Sequence, residues 1–155
     1  MARISTAYSK ILAILIAWLG FSCEDKHETI LPCEYGTPTA TFKAKGVVVS
    51  QTDDAPIEGI RAVLKAHWGA EGWRGIDTVY TDNKGVFNLK SKKNINYFRT
   101  FFVELNDVDG EENGLFIEKD VEADFFNLKF TGGDMKWYYG EVEKDLGIVK
   151  LETKE

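Results

Sequence analysis

The sequence predicts an all-β body, a two-sheet sandwich of about seven antiparallel strands. Three observations carry that expectation. Apolar and polar residues alternate with period two through several runs, turn-forming glycines and Asx residues separate those runs, and no body segment combines 3.6-residue apolar spacing with helix caps. A composition of 44% hydrophobic and 13% aromatic residues is enough to pack one core in a chain of 155 residues. A single open sheet would leave many of those aromatics in water, whereas two sheets cover each other.

The first element is a leader. Arg3 and Lys10 flank an N-terminus that continues into the unbroken apolar run Ile11 to Leu19, and the small residues Gly20 and Ser22 lead to Cys23. Basic residues followed by a short apolar run read as a secretory signal peptide over residues 1–22. Nine apolar residues are about half of the roughly 20 that a helix needs to cross a bilayer. A retained transmembrane helix is one alternative. Ordinary cleavage near Ser22, leaving a soluble protein with a Cys23–Cys33 disulfide, is another. Removing residues 1–22 takes away two basic residues and no carboxylate, so the net charge moves from −6 to −8. An acidic surface repels phosphate backbones, which argues against nucleic acid as a partner.

The stretch Leu19-Gly20-Phe21-Ser22-Cys23 resembles the lipobox of bacterial lipoproteins, with Gly20 and Phe21 standing where that motif prefers Leu and a small residue. The resemblance implies a diacylglycerol on the Cys23 thiol, cleavage before it, and a place in the outer membrane, periplasmic or surface-exposed. Residues 23–40 are polar, of mixed charge and broken by Pro32 and Pro38, as expected of a tether. Glu24-Asp25 resembles the export signal of Bacteroidetes surface lipoproteins. With Cys23 acylated, Cys33 is left without a disulfide partner, and His27 falls in the tether.

The body runs from residue 41 to 155. Phe42, Ala44, Gly46 and Val48 share one face of a first strand and Lys43 and Lys45 the other. After a polar loop, Ser50 to Pro56, the residues Ile60, Ala62, Leu64 and Ala66 oppose Arg61, Lys65 and His67 in a second. A Gly-rich loop, Trp68 to Gly75, precedes a third run at Ile76 to Thr81. Asp82-Asn83-Lys84-Gly85 then reads as a hairpin turn, with Gly85 at φ > 0, and Val86 to Leu89 as the return strand burying Phe87 and Leu89. Tyr97 to Leu105 is aromatic and β-branched enough for a central strand. Further strands are expected at Gly114–Ile117, Phe125–Phe130, Tyr138–Val142 and Gly147–Glu152.

GVVV (46–49), PIEGIRAVL (56–64) and DTVYTDNKGVFNL (77–89) together resemble carboxypeptidase regulatory-like, or transthyretin-like, sandwich domains. Thr81, Asp82, Gly85 and Phe87 match the T-D-x-x-G-x-F element of that family. CEYGTPTA (33–40) and DVDGEENG (107–114) are similar to short Bacteroidetes proteins called radical SAM-associated putative lipoproteins. That resemblance implies a genomic neighbourhood and no radical chemistry here, since two cysteines do not make the ligand set of an iron–sulfur cluster.

Two groups of residues are candidates for binding. Counted from Asp107, side-chain oxygens recur at Asp107, Asp109, Glu111 and Asn113, with Glu118 at the twelfth place, the rhythm of an EF-hand calcium loop. Glu112 occupies the place of the required glycine and no helices flank the segment, so a plain acidic loop explains the same letters. Calcium is thus a candidate ligand, and no other cofactor is expected. Trp68 and Trp73, and separately Trp137, Tyr138 and Tyr139, offer flat rings that stack on sugars. Plugging the open ends of the sandwich is the alternative use of those rings, and no spacing brings the two groups together. Catalysis has no visible set of residues, because His67 is the only histidine of the body and Cys33 precedes it. The expectation is a non-catalytic, envelope-anchored binding module with a protein partner, or alternatively a carbohydrate-binding one.

Overall fold

The computed structural model describes residues 37–92, 95–96, 100–110 and 112–154. Residues 1–22, expected to be a leader, and Cys23, His27, Cys33, Glu111 and the start of the run expected at Tyr97 lie outside the described residues.

The strands among those residues are β1 (Thr39–Ser50), β2 (Arg61–His67), β3 (Trp73–Tyr80), β4 (Val86–Lys90), β5 (Ile95–Asn96), β6 (Phe101–Asn106), β7 (Lys119–Glu122), β8 (Thr131–Gly132) and β9 (Tyr138–Leu151). They form two sheets. One has the order β4-β1-β9-β8, with β5 also on β1, and the other the order β3-β2-β6-β7. The all-β sandwich expected from alternation is thus the observed fold. Tyr138–Val142 and Gly147–Glu152 fall together in one long strand, β9, which ends at Leu151, while the short pairings of β5, β7 and β8 bring the strands among the described residues to nine.

Period-two patterning decides which side chains enter the core. Phe42, Ala44 and Val48 of β1, Ala62, Leu64 and Ala66 of β2, Phe87 and Leu89 of β4, and Phe101, Val103 and Leu105 of β6 are all buried. Gly46 lies on the same inner face because the Phe87 ring occupies the space above it. A Cβ there would stand 2.8 Å from Phe87 Cζ.

Three expectations are corrected. First, the pairing is not antiparallel throughout, since β1 and β9 run parallel from Thr39↔Tyr138 to Ser50↔Leu151, with irregularities at Ala40 and Gly46. Alternation is the same in both kinds of ladder, so it carries no sign of direction. Second, Asp82–Gly85 is not a hairpin turn. β3 pairs with β2, and β4 pairs with β1, so this turn carries the chain from one sheet to the other. Third, Gly114–Ile117 and Phe125–Phe130 are not strands. Phe125 instead packs its ring 5.1 Å from Phe42 and 5.2 Å from Phe101, and Phe130 lies 6.1 Å from Phe42, closing one end of the core. Their β-like composition reflects a need for apolar bulk at that end.

The T-D-x-x-G-x-F element earns its residue types at this crossing. Thr81 is buried; its Oγ1 accepts from Ile60 N at 2.9 Å and donates to Ile57 O at 2.7 Å, clamping the 57–60 loop. Asp82 Oδ1 accepts from Lys84 N and Val86 N, which holds the turn closed. Gly85 has φ +72°, and its carbonyl accepts from Val48 N at 2.8 Å. A Cβ at Gly85 would sit 2.2 Å from Val48 O, so only glycine fits.

Candidate functional site

The outer face of the β3-β2-β6-β7 sheet carries the first candidate. On β2 the inward residues are small or aliphatic, which turns Arg61, Val63, Lys65 and His67 outward. Across the ladders His67 faces Trp73, and Lys65 faces Phe102. Trp73 is 46% exposed, and its ring packs edge-on against Phe102 at 4.5 Å and His67 at 5.0 Å. The Lys65 ammonium lies 5.7 Å over the Phe102 ring and also pairs with Glu104. That hydrogen bond from Lys65 holds the Glu104 carboxyl below its ordinary value, with help from Asn106 and against partial desolvation. The result is an apolar patch beside an ion pair on the outer face of the sheet. Trp73 therefore belongs to a strand, and not to the Gly-rich loop that the sequence suggests.

The other aromatic candidates divide. Trp68 is half-buried against the core, with the Arg74 guanidinium 5.9 Å from its ring. Tyr139 packs on the core near Phe130, and the Tyr138 hydroxyl is 2.9 Å from Thr41 Oγ1. These three are used by the fold. Trp137 is 55% exposed at a turn fixed by Asp134, whose Oδ1 accepts from the backbone N–H groups of Lys136, Trp137 and Tyr138. Those hydrogen bonds depress the Asp134 carboxyl below its ordinary value. Trp73 stands on β3 and Trp137 on the turn before β9, in the other sheet, and no ring contact joins them.

Two carboxylates of the acidic loop are tied to groups of the loop itself. Asp107 Oδ2 accepts from Phe116 N at 2.9 Å, and Asp109 Oδ2 accepts from Asn113 Nδ2 at 2.6 Å. Both carboxylates are thus engaged in shaping the loop. Among the described residues no group of three or more His, Cys, Asp or Glu side chains converges as metal ligands.

A groove of about 540 Å³ opens at the opposite end of β2 from Trp73, lined by Arg61, Asn106, Asp107, Val108, Phe116, Ile117, Glu118 and Lys154. Its far wall forms because Phe116 bridges Thr153 and Ile117 N donates to Glu152 O, which seats the 115–117 segment on the C-terminal residues. Three polar atoms of its lining, Arg61 Nε, Asn106 Oδ1 and Asp107 Oδ1, are buried without a hydrogen-bond partner among the described residues. Each such atom costs about 1–3 kcal/mol of lost solvation. Sequence reasoning singled out Asp107 and Glu118 but missed Arg61 and Lys154. Alternation marks Arg61 only as an outward residue, and nothing local brings Lys154 beside Ile117.

No protein-family model matches the chain, and no curated protein matches it. Among the solved structures that are similar to it are two pilus proteins and a lipoxygenase. The full-length major pilin SpaD of Corynebacterium diphtheriae is 13% identical with a TM-score of 0.42, covering 74% of this chain and 31% of the pilin. The pilus 2b backbone protein of group B streptococcus is 12% identical with a TM-score of 0.39, covering 72% of this chain and 40% of that one. A 9R-lipoxygenase from Cyanothece is 15% identical with a TM-score of 0.37, covering 70% of this chain and 16% of the lipoxygenase. The chain spans less than half the length of each.

Proposed function

We propose that the protein is a non-catalytic lipoprotein of the bacterial envelope, anchored through Cys23, whose sandwich is a binding module for an envelope protein. The short apolar leader ending at Cys23 supports the anchor, as does the resemblance of 33–40 and 107–114 to radical SAM-associated putative lipoproteins. The observation that carries the binding role is the outward face built from Trp73, Phe102 and His67 beside the Lys65–Glu104 pair. An aromatic centre rimmed by charge is what protein interfaces concentrate their affinity on. His67 supports the non-catalytic part, because its ring packs on Trp73 and its Nδ1 accepts from Gly69 N at 3.3 Å.

A second reading, carbohydrate binding, draws on the same exposure of Trp73 and on Trp137, since flat rings stack on the C–H faces of sugars. The test is capture of envelope proteins by crosslinking in intact cells, beside glycan-array binding, with wild type and Trp73→Ala. A defined envelope protein lost with Trp73→Ala supports the first reading, and a polysaccharide lost with Trp73→Ala supports the second. Partners that bind Trp73→Ala and Phe102→Ala as well as wild type contradict both.

A further inference from the structure

One end of the sandwich carries large apolar side chains that the fold does not use. β1 and β9 start side by side there, Thr39 against Tyr138. The turn before β9 is tied to the first residue of β1, because Thr39 N and Thr39 Oγ1 both donate to Trp137 O, at 3.0 and 3.1 Å. Phe125 closes the core at the same end by packing on Phe42 and Phe101. The next side chain, Phe126, faces away from that core and is 79% exposed, with its N–H held by Asp124 Oδ1 at 2.7 Å. Met135 is 60% exposed and Trp137 55%. Lys129 and Lys136, also exposed, stand in the same two segments.

Neither segment needs these residue types for its shape. Asp134 closes the turn before β9 through three backbone N–H groups, so the side chains at 135 and 137 add nothing to its closure. Met135 has φ +56°, a left-handed backbone in which asparagine or glycine costs less than a long apolar side chain. Apolar residues scattered singly over a surface need no explanation, but three large ones crowning one end are a patch. The pairing of tryptophan with lysine gives that patch a chemistry. An indole ring sits at the boundary between acyl chains and headgroups, and a lysine lays its stem along the apolar layer while its ammonium reaches the phosphates.

The chain also enters the sandwich at this end. Thr39 follows Cys23 by 16 residues, so it lies within about 55 Å of that residue even for a fully extended chain. β1 is 12 residues long, which puts the opposite end of the sandwich about 40 Å farther along. We propose that the tips at Phe126 and at Met135-Lys136-Trp137 dock on the bilayer that holds the Cys23 lipid, with the three apolar side chains at the acyl boundary and Lys129 and Lys136 at the phosphates. The proposal rests on the anchor at Cys23 and gives the body a second, non-covalent contact with the same membrane. A body already tethered does not pay again for being brought to the surface, so three side chains suffice where they would hold a free protein only weakly. Docked by this end, β1 and β9 run away from the bilayer, and the outward face of β2 and β6 stays open to a partner.

The test uses the mature protein recovered from envelope fractions and reconstituted in phosphatidylcholine vesicles, with and without brominated acyl chains, its intact mass being recorded on the same sample. Bromine quenches a tryptophan only at close approach. Without residues 1–22 the tryptophans are Trp68, Trp73 and Trp137. The expected result is that brominated lipid quenches part of the emission, and that this part falls about fivefold in Trp137→Phe and is kept in Trp73→Phe. Met135→Asn, which suits the left-handed backbone and removes the apolar side chain, at least halves it. An unchanged thermal midpoint in each variant shows that the fold is intact. Lipidated wild type that floats with the vesicles yet shows no quenching overturns the docking and leaves the anchor standing. Quenching that survives Trp137→Phe overturns it too, and where Trp73→Phe removes that quenching the body lies on its sheet face. Quenching unmoved by Met135→Asn also overturns it. A chain without lipid mass removes the anchor, and the docking with it.

Discussion

Replacing Thr81 with valine tests the crossing between the sheets with little change of shape. The substitution exchanges a hydroxyl for a methyl in a side chain 4% exposed. It removes two hydrogen bonds, from Ile60 N at 2.9 Å and to Ile57 O at 2.7 Å. The two backbone groups belong to residues 1% and 3% exposed, so water does not replace the hydroxyl. At about 1–3 kcal/mol for each of the two buried groups left unpaired, less about 0.8 kcal/mol gained by burying one more methyl, the expected loss is about 1–5 kcal/mol. Thr81→Ser keeps the hydroxyl and gives up one methyl, so it should lose only about 1 kcal/mol. Equilibrium urea unfolding of a soluble form starting at Glu24 measures both. The midpoint should fall in the order wild type, Thr81→Ser, Thr81→Val, with an unchanged denaturant slope. Valine within about 0.5 kcal/mol of wild type, or serine as damaging as valine, would refute the reasoning that the hydroxyl is what clamps the 57–60 loop.

Three further outcomes follow from the same geometry. Glu141 lies between Lys43, its stronger partner, and Lys90 at 2.9 Å, and its carboxyl is held down from 4.5 to about 2. A folded pKa below the unfolded one stabilises the fold above the unfolded value and is lost as pH falls from 4.5 through about 2. Glu141→Gln should therefore flatten the dependence of the urea midpoint on pH across that window, and an unaltered acid limb would count against the pairing. Gly46→Ala, which drives a Cβ against the Phe87 ring, should cost about 1–3 kcal/mol. Much of that loss should be relieved in combination with Phe87→Leu, and simple additivity in the double-mutant cycle would show that the two sites do not touch. Gly85→Ala should destabilise by at least about 2 kcal/mol, because it combines a left-handed backbone with a clash on Val48 O, and a near-neutral melting temperature would contradict the turn geometry.

What could be read from the sequence was local. The inner faces of β1 and β2 follow directly from alternation at Phe42 to Val48 and Ile60 to Ala66, and the turn chemistry of Asp82 and Gly85 is as expected. The destination of that turn is not, because the same Asx and glycine geometry serves a hairpin and a crossing between sheets. The parallel pairing of β1 with β9 joins residues about a hundred positions apart, and period two is blind to strand direction. Phe125 and Phe130 were misleading since aromatic bulk is wanted both in strands and at an open core end. At the candidate sites, Trp73 was legible as a large ring but not as part of a strand facing His67 and Phe102. Asp107 and Glu118 stood out for their charge, yet the side chains beside them in space, Arg61 and Lys154, lie dozens of residues away.

Membrane attachment is the premise of the functional account, and the mass of the mature N-terminus isolated from envelope fractions tests it most directly. The expected species begins at Cys23 and carries the added mass of a diacylglyceryl group on sulfur, with Cys33 as a thiol. An unlipidated chain with Cys23 joined to Cys33, or one still beginning at Met1, would contradict it.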